Sequence, residues 1–212
     1  MHPQSYKNNS VLPSQHVHIL TTDFLPYSAM LQEGVGFLIK SESTLKKFLI
    51  HTLGLSSHYI ENRIKTAFIN QRPVDNYETA IIQDQDTLGL SGAMPGLVGA
   101  TLRKNSVLSS FRNRISFTNL TDKEDGFHKT NGTIQLKVFN LLIKEIGPII
   151  LEKGVLIQSD SLKSLFETER SKQNTKIQSV IIDGQEHNIN TDTVISNIKT
   201  KKNMLLVVKA VS

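Results

Sequence analysis

The chain has 212 residues, 38% hydrophobic and 20% charged, which is typical of a globular protein long enough to bury a core. It contains no cysteine, and this excludes disulfides, thiolate zinc sites, iron–sulfur clusters and a cysteine nucleophile. The formal net charge is +5, with a sequence pI of about 9.3, so acidic partners have to be considered.

Residues 1–15 are polar and show no periodicity, which predicts a flexible N-terminal tail. The tail lacks the apolar core of a signal peptide, and no apolar run approaches membrane-spanning length. We therefore expect a cytoplasmic protein without a membrane partner.

Residues 16–104 predict a first α+β unit. Alternation favours strands at His16–Thr22, Gly36–Lys40 and Ile64–Asn70, and Thr87–Ser91 is a last apolar strand. Between the second and third strands, apolar residues recur with helical spacing from Leu45 to Leu53. Ser43 is the expected N-cap of this helix, and Gly54 ends it.

Residues 105–132 predict a linker. Apolar residues are scattered through its first part, and a charged turn, Asp122–Gly126, follows. Residues 133–212 then predict a second unit. It has an additional helix at Leu141–Leu151, expected to be interrupted at Gly147–Pro148, and a final strand at Met204–Val211.

The two units look like copies of one ancestral module. Leu31–Phe48 aligns with Leu151–Phe166, and Arg63–Asp75 aligns with Lys176–Asn188, with only small gaps. Chance similarity between two α+β segments is the alternative. Agreement in order, spacing and several identities favours an internal repeat.

The module resembles the β-grasp fold of the ubiquitin superfamily, and the first copy looks like its sulfur-carrier branch. The matching residues are Leu53-Gly54-Leu55 at the helix end, Ala67–Gln71 before a turn and Gln85–Leu88 before the last strand; the second copy supplies Ile181–Gly184. The resemblance implies an α+β protein of two tandem β-grasp-like units. Each would have a mixed sheet with one main helix packed on a face.

Sulfur-carrier chemistry does not follow from this resemblance. A sulfur carrier ends in Gly-Gly, because its terminal carboxylate is the group that is converted to a thiocarboxylate. Here the first copy continues past Gly92, and the chain ends at Ser212 without that motif. The fold alone does not specify a function.

The segment Gly89–Lys104 is the strongest candidate for ligand binding. Its glycines allow close backbone approach to an anion, and basic residues follow them. It matches neither G-x-x-x-x-G-K-[ST] nor G-x-G-x-x-G, and a tight structural connection explains the same glycines. The candidate ligand-binding residues are Gly92, Gly96, Gly99, Arg103, Lys104 and Arg112.

His16 and His18 are the only candidates for a metal site. Two residues apart on a strand, they would lie on the same face. No further histidine or carboxylate follows at a diagnostic spacing, so ordinary strand histidines are the alternative. We expect no metal, no cofactor and no catalytic residues, since neither a G-x-S-x-G elbow nor an H-E-x-x-H motif occurs.

Basic residues are concentrated in two windows. No acidic residue lies between Asp86 and Asp122, and none follows Asp192. RNA binding is conceivable there, but aromatic residues for base stacking are few. The leading hypothesis is a non-catalytic protein-binding or scaffold module that uses an exposed sheet face or strand edge. The alternative is a phosphate- or nucleotide-binding protein or enzyme using the Gly-rich segment 89–104.

Overall fold

Ten strands pair in one large mixed sheet. The computed structural model describes residues 13–39, 43–92, 96–104, 106–108, 112, 115–119, 132–170, 176–187, 191–200 and 202–211. The strands are β1 (His16–Thr21), β2 (Val35–Ile39), β3 (Ser43–Thr44), β4 (Thr66–Ile69), β5 (Arg72–Pro73), β6 (Ile81–Ile82), β7 (Thr87–Ser91), β8 (Gly132–Phe139), β9 (Val155–Gln158), β10 (Ile177–Ile182), β11 (Gln185–His187) and β12 (Asn203–Ala210). The large sheet runs β11-β10-β1-β12-β9-β2-β8-β7-β4-β5, and β3 and β6 form a separate two-stranded ladder.

The helices complete an α+β fold, as the sequence predicts. They are α1 (Ser28–Glu33), α2 (Leu45–Lys47), α3 (Ser57–Arg63), α4 (Gly96–Leu102), α5 (Leu142–Lys153), α6 (Ser159–Arg170) and α7 (Thr191–Asn197). A 3₁₀ turn, Leu25–Tyr27, precedes α1, and a π turn, Phe48–Thr52, continues α2.

The large sheet consists of two five-stranded arrays that meet between β2 and β9. One array runs outward from this joint as β2-β8-β7-β4-β5, and the other as β9-β12-β1-β10-β11. In both arrays the successive pairs of neighbouring strands are antiparallel, parallel, antiparallel and antiparallel. The ladder at the joint contains one residue pair, Gly36↔Leu156. A Cβ at Gly36 would lie 2.9 Å from the Leu156 Cβ, so only glycine fits at this joint.

The expectation of two tandem β-grasp-like units, each with its own sheet, is not confirmed. β1 lies between β12 and β10 of the C-terminal half, and β8 lies between β2 and β7 of the N-terminal half. Each half therefore contributes one strand to the other half's array. Strand pairing crosses the predicted boundaries of 16–104 and 133–212, whose assignment as separate domains remains a prediction.

The aligned stretches nevertheless occupy equivalent positions. β2 and β9 form the central joint, and the hairpins β4–β5 and β10–β11 form the two ends of the sheet. Both hairpin turns have two residues with positive φ: Asn70 (50°) and Gln71 (67°), and Asp183 (49°) and Gly184 (85°). Such turns match the twist of paired strands.

The helices differ from expectation at several points, and α1, α3, α4 and α7 have no predicted counterpart. The N-cap of α2 is Thr44 rather than Ser43, because the Thr44 hydroxyl accepts a hydrogen bond from the Lys47 amide at 3.3 Å. The unpredicted helix α3 begins after its own cap, Ser56. α5 continues through Pro148, since buried apolar side chains on either side of this residue hold the helix against its neighbours.

A polar cluster ties α3 to α5. The Tyr59 hydroxyl donates a 2.6 Å hydrogen bond to Glu145 Oε2, and the Arg63 guanidinium forms a bidentate ion pair with the same carboxylate. The hydrogen bonds from Arg63 lower the pKa of Glu145, against the opposing effect of burial. Burial and the bond to Glu145 raise the pKa of Tyr59.

The two faces of the large sheet differ in burial. On one face, apolar side chains from both arrays are almost completely buried, including Val17, Ile19, Leu88, Ile134 and Leu206. Helices α1 and α5 contact β8, and α5 also contacts β12. Because the opposite face stays partly accessible to water, we place the helices on the buried face, where the core lies.

The predicted tail falls mainly in residues 1–12, which lie outside the described residues. Most of the predicted linker, 105–132, also lies outside them. Within its described part, the Phe117 amide donates a 2.9 Å hydrogen bond to the Pro73 carbonyl, so this segment runs along the end strand β5.

Candidate functional site

The Gly-rich segment is not a single loop. Gly89 belongs to β7, Gly92 is buried directly after that strand, and Gly96 and Gly99 belong to α4; residues 93–95 lie outside the described residues. Gly96 has a φ of +76°, which favours glycine. A Cβ at Gly92 would make only ordinary contacts, 3.7 Å and longer. The described glycines therefore do not form a common anion cradle.

Arg112 is a buried structural residue. Its side chain donates five hydrogen bonds: two to the Asp75 carboxylate at 2.6 and 3.0 Å, one to the Ser116 hydroxyl at 3.0 Å, and one each to the carbonyls of Thr101 at 2.6 Å and Arg103 at 3.3 Å. The whole residue is 2% exposed. A guanidinium has five N–H donors, so none remains for a ligand.

Lys104 has a different environment. Its amide donates to the Lys65 carbonyl at 2.9 Å, and its Nζ lies 4.1 Å from the centroid of the Tyr77 ring in a cation–π contact. The side chain also lines an open pocket of about 340 Å³. Arg103, by contrast, is exposed, and the pocket does not include it.

The charges in this pocket do not favour a phosphate. Its lining residues are Lys46, Ser57, Ile60, Glu61, Asp75, Asn76, Tyr77, Glu78 and Lys104. They present three carboxylates and two ammonium groups, and Lys46 is already paired with Glu78. The Tyr77 hydroxyl is buried and has no hydrogen-bond partner among the described residues. Burial, followed by the charge of Asp75, raises the pKa of Tyr77.

His16 and His18 are exposed on the same face of β1, as their spacing predicts. Their cross-strand neighbours on β12 are Leu205 and Val207, which cannot bind a metal. The described residues contain no group of three or more His, Cys, Asp or Glu side chains that could hold a metal ion.

The partly exposed face of the sheet is a candidate contact surface. We call it the open face and define it by its residues on five adjacent strands: His16, His18 and Leu20 on β1; Leu205, Val207 and Lys209 on β12; Leu156 and Gln158 on β9; Gly36 and Leu38 on β2; and Thr133, Gln135 and Lys137 on β8. Val207 is itself buried, and the other side chains are partly or fully exposed. Leu205 pairs with Leu156 across β12 and β9, so these leucines are neighbours at its centre. Leu38 on the next strand is 43% exposed.

Helix α4 is a second surface that motif searching missed. It buries Gly99 and exposes Leu97 and Val98. The available signal was the combination of small residues with adjacent large apolar ones in a stretch without acidic residues. No helix among the described residues has the length and apolar character needed to cross a membrane. Comparison of the chain with protein-family models, curated proteins and solved structures gives no match in any of the three.

Proposed function

We propose that this protein is a non-catalytic binding module whose open face docks a partner protein. The observation that carries the proposal is the leucine-rich centre of this face, on a sheet whose opposite face holds the buried core. Apolar side chains grouped on an accessible face are a feature of interaction surfaces. Burial of Leu38, Leu156 and Leu205 would supply the apolar part of the binding energy.

The charge on the open face favours an acidic partner over a second copy of the chain. On the five strands that define the face, the basic side chains are Lys137 and Lys209, together with His16 and His18, and none of the side chains is acidic. Two such faces would repel each other. A protein with acidic groups around an apolar patch has the complementary charge.

The sheet ends are less suitable for a partner strand. β5 has two residues, including Pro73, and β11 has three. Short end strands and proline give few free backbone groups, which opposes strand addition. The contact is therefore assigned to the face, and not to an edge.

The phosphate- or nucleotide-binding alternative has less support. Arg112 has no free donor, and Lys104 lines a pocket that contains three carboxylates. Neither feature favours an anionic ligand. RNA binding through the basic windows has no described aromatic platform on α4 to support it.

Affinity capture with matched variants tests the proposal. Wild type, Leu38→Lys and Leu205→Lys would be immobilised, with Leu25→Lys as a control because Leu25 is also an exposed leucine but lies outside the sheet. We expect a protein retained by wild type and by the control but lost with both open-face variants. Retention by all four proteins would contradict the proposal. Sedimentation of wild type over a range of concentrations identifies self-association, which would replace the acidic partner by a second copy.

A further inference from the structure

The pocket beside Lys104 has the size of a small-molecule site and a polar lining. It is formed by residues of α2 and α3, by the segment 75–78 after β5, and by Lys104 after α4. Its volume of about 340 Å³ lies near the lower end of the range for small-molecule sites. Such sites are usually lined mainly by apolar side chains, whereas here only Ile60 and the Tyr77 ring are apolar. An occupant therefore has to be both small and polar.

The walls of the pocket are fixed by hydrogen bonds. The Lys46 amide donates to the Tyr77 carbonyl at 2.8 Å, which joins α2 to the segment 75–78. The Asp75 carboxylate accepts two hydrogen bonds from the buried Arg112 guanidinium. The Lys104 amide donates to a carbonyl immediately before β4 at 2.9 Å. A pocket whose walls are already ordered binds a ligand at a lower entropic cost.

Three of the five charged groups in the pocket are paired within the protein. Asp75 forms its ion pair with Arg112, and Lys46 forms one with Glu78. The two groups that remain are a carboxylate, Glu61 on α3, and the ammonium of Lys104.

Glu61 and Lys104 are uncompensated opposite charges. Neither side chain forms an ion pair or a side-chain hydrogen bond with any residue that the structure describes. The hydrogen bond to Glu78 and the charge of Glu78 raise the pKa of Lys46, and the charge of Glu61 makes a smaller contribution. The Lys104 ammonium lies 4.1 Å from the centroid of the Tyr77 ring, a contact that positions the ammonium without neutralising it.

We propose that this pocket binds a small zwitterion of the amino-acid class, with its carboxylate at Lys104 and its ammonium at Glu61. A purely anionic ligand would meet three carboxylates, and a purely cationic ligand would leave Lys104 without a counter-ion. A zwitterion is complementary to both uncompensated charges, and charge-assisted hydrogen bonds are the stronger kind. Ile60 and the Tyr77 ring would contact the carbon atoms of the ligand.

This inference goes beyond the proposed function, because no residue of the pocket belongs to the open face. The pocket lies on α2, α3 and the segments after β5 and α4, whereas the open face lies on five strands of the large sheet. Each site can therefore be altered without the other.

Titration of the full-length chain with charged and blocked ligands tests the pocket. Isothermal titration calorimetry, with saturation-transfer NMR for weak binding, would be run with the standard amino acids and with 4-aminobutyrate, whose charges are further apart. We expect at least one of them to bind. Its N-acetyl derivative, which lacks the ammonium, and its amide, which lacks the carboxylate, should each bind at least about tenfold more weakly.

Two variants test which protein group faces which ligand group. Lys104→Met and Glu61→Gln remove one charge each, and each should weaken binding of the zwitterion at least about tenfold. The loss from Lys104→Met should disappear when the ligand is the amide, and the loss from Glu61→Gln should disappear when it is the N-acetyl derivative. Lys144→Met and Glu33→Gln make the same changes at exposed positions outside the pocket and should retain full affinity.

The outcomes separate this inference from the proposed function. Leu38→Lys on the open face should bind the zwitterion as wild type does. Absence of binding by every zwitterion, equal binding of the blocked derivatives, or equal losses in the two control variants would overturn the inference. So would preferential binding of inorganic phosphate or putrescine. The comparison of ligands uses only the wild-type chain, so it decides the matter even where a variant does not fold.

Discussion

The ion pair between Arg112 and Asp75 leads to an asymmetric prediction for stability. The Arg112 side chain is 1% exposed and that of Asp75 is 45% exposed. Asp75→Ala leaves a buried guanidinium without its counter-ion, and losses of about 3–5 kcal/mol are typical of such a change. Water around Asp75 already screens part of the attraction, so we expect about 3 kcal/mol, the lower end of this range.

Arg112→Met should cost less. The apolar side chain keeps much of the volume, and Asp75 remains in contact with water. The main loss is then the hydrogen bonds to the carbonyls of Thr101 and Arg103. At about 1 kcal/mol each, this gives a loss of about 2 kcal/mol. The double variant should resemble Arg112→Met alone, because the stranded charge is then absent.

Urea denaturation of the three variants measures these losses, and hydrogen exchange of the α4 amides shows whether this helix opens first. For a chain of this size, 3 kcal/mol corresponds to a fall in Tm of about 6–12 °C. Asp75→Ala should be the least stable variant and should show the fastest exchange in α4. Losses below about 0.5 kcal/mol with unchanged exchange, or a larger loss for Arg112→Met, would refute the assignment of a buried, saturated guanidinium.

Three further predictions concern the turn, the joint and the polar cluster. Gln71→Gly should raise the free energy of unfolding by about 0.5–1 kcal/mol, because the relief of positive φ exceeds the entropic cost of glycine; a loss in urea denaturation would contradict this. Gly36→Ala should cost about 1–3 kcal/mol by contact with the Leu156 Cβ, and adding Leu156→Gly, but not Leu156→Ala, should reduce that penalty. The folded-state pKa of Glu145 is lowered, so its contribution to stability is present above the usual glutamate pKa and is lost as the pH falls through the lowered one. The stability difference between wild type and Glu145→Gln should therefore shrink below about pH 4, and a difference that is constant with pH would exclude this role.

The sequence predicted features that depend on residues close together in the chain, and it did not predict features that depend on residues far apart in it. Strands β1 and β2 were predictable, since each alternates between a buried and an accessible face. Strands β4 and β7 are mostly buried, and their apolar residues made them predictable. The exchange of β1 and β8 between the arrays was not predictable, because an alternating pattern shows which face of a strand is buried and does not show which strand lies beside it.

The candidate site shows the same limit. Arg112 was predicted as an anion ligand from its basic surroundings, whereas its partner Asp75 lies 37 residues away in sequence. The outward direction of Leu97 and Val98 was equally hidden, since an apolar residue in a short helix is normally assigned to the core. Gly99 is the buried residue of α4, so this helix directs a glycine and not its large apolar side chains toward the protein.

The position of β1 affects how the protein can be synthesised. Both neighbours of this strand, β10 and β12, are encoded more than 150 residues later, as the pairs Val17↔Ile182 and Val17↔Leu206 show. During translation, a ribosome would release β1 long before either neighbour has emerged. Its two edges would remain unpaired for most of that interval, and unpaired strand edges favour aggregation of nascent chains.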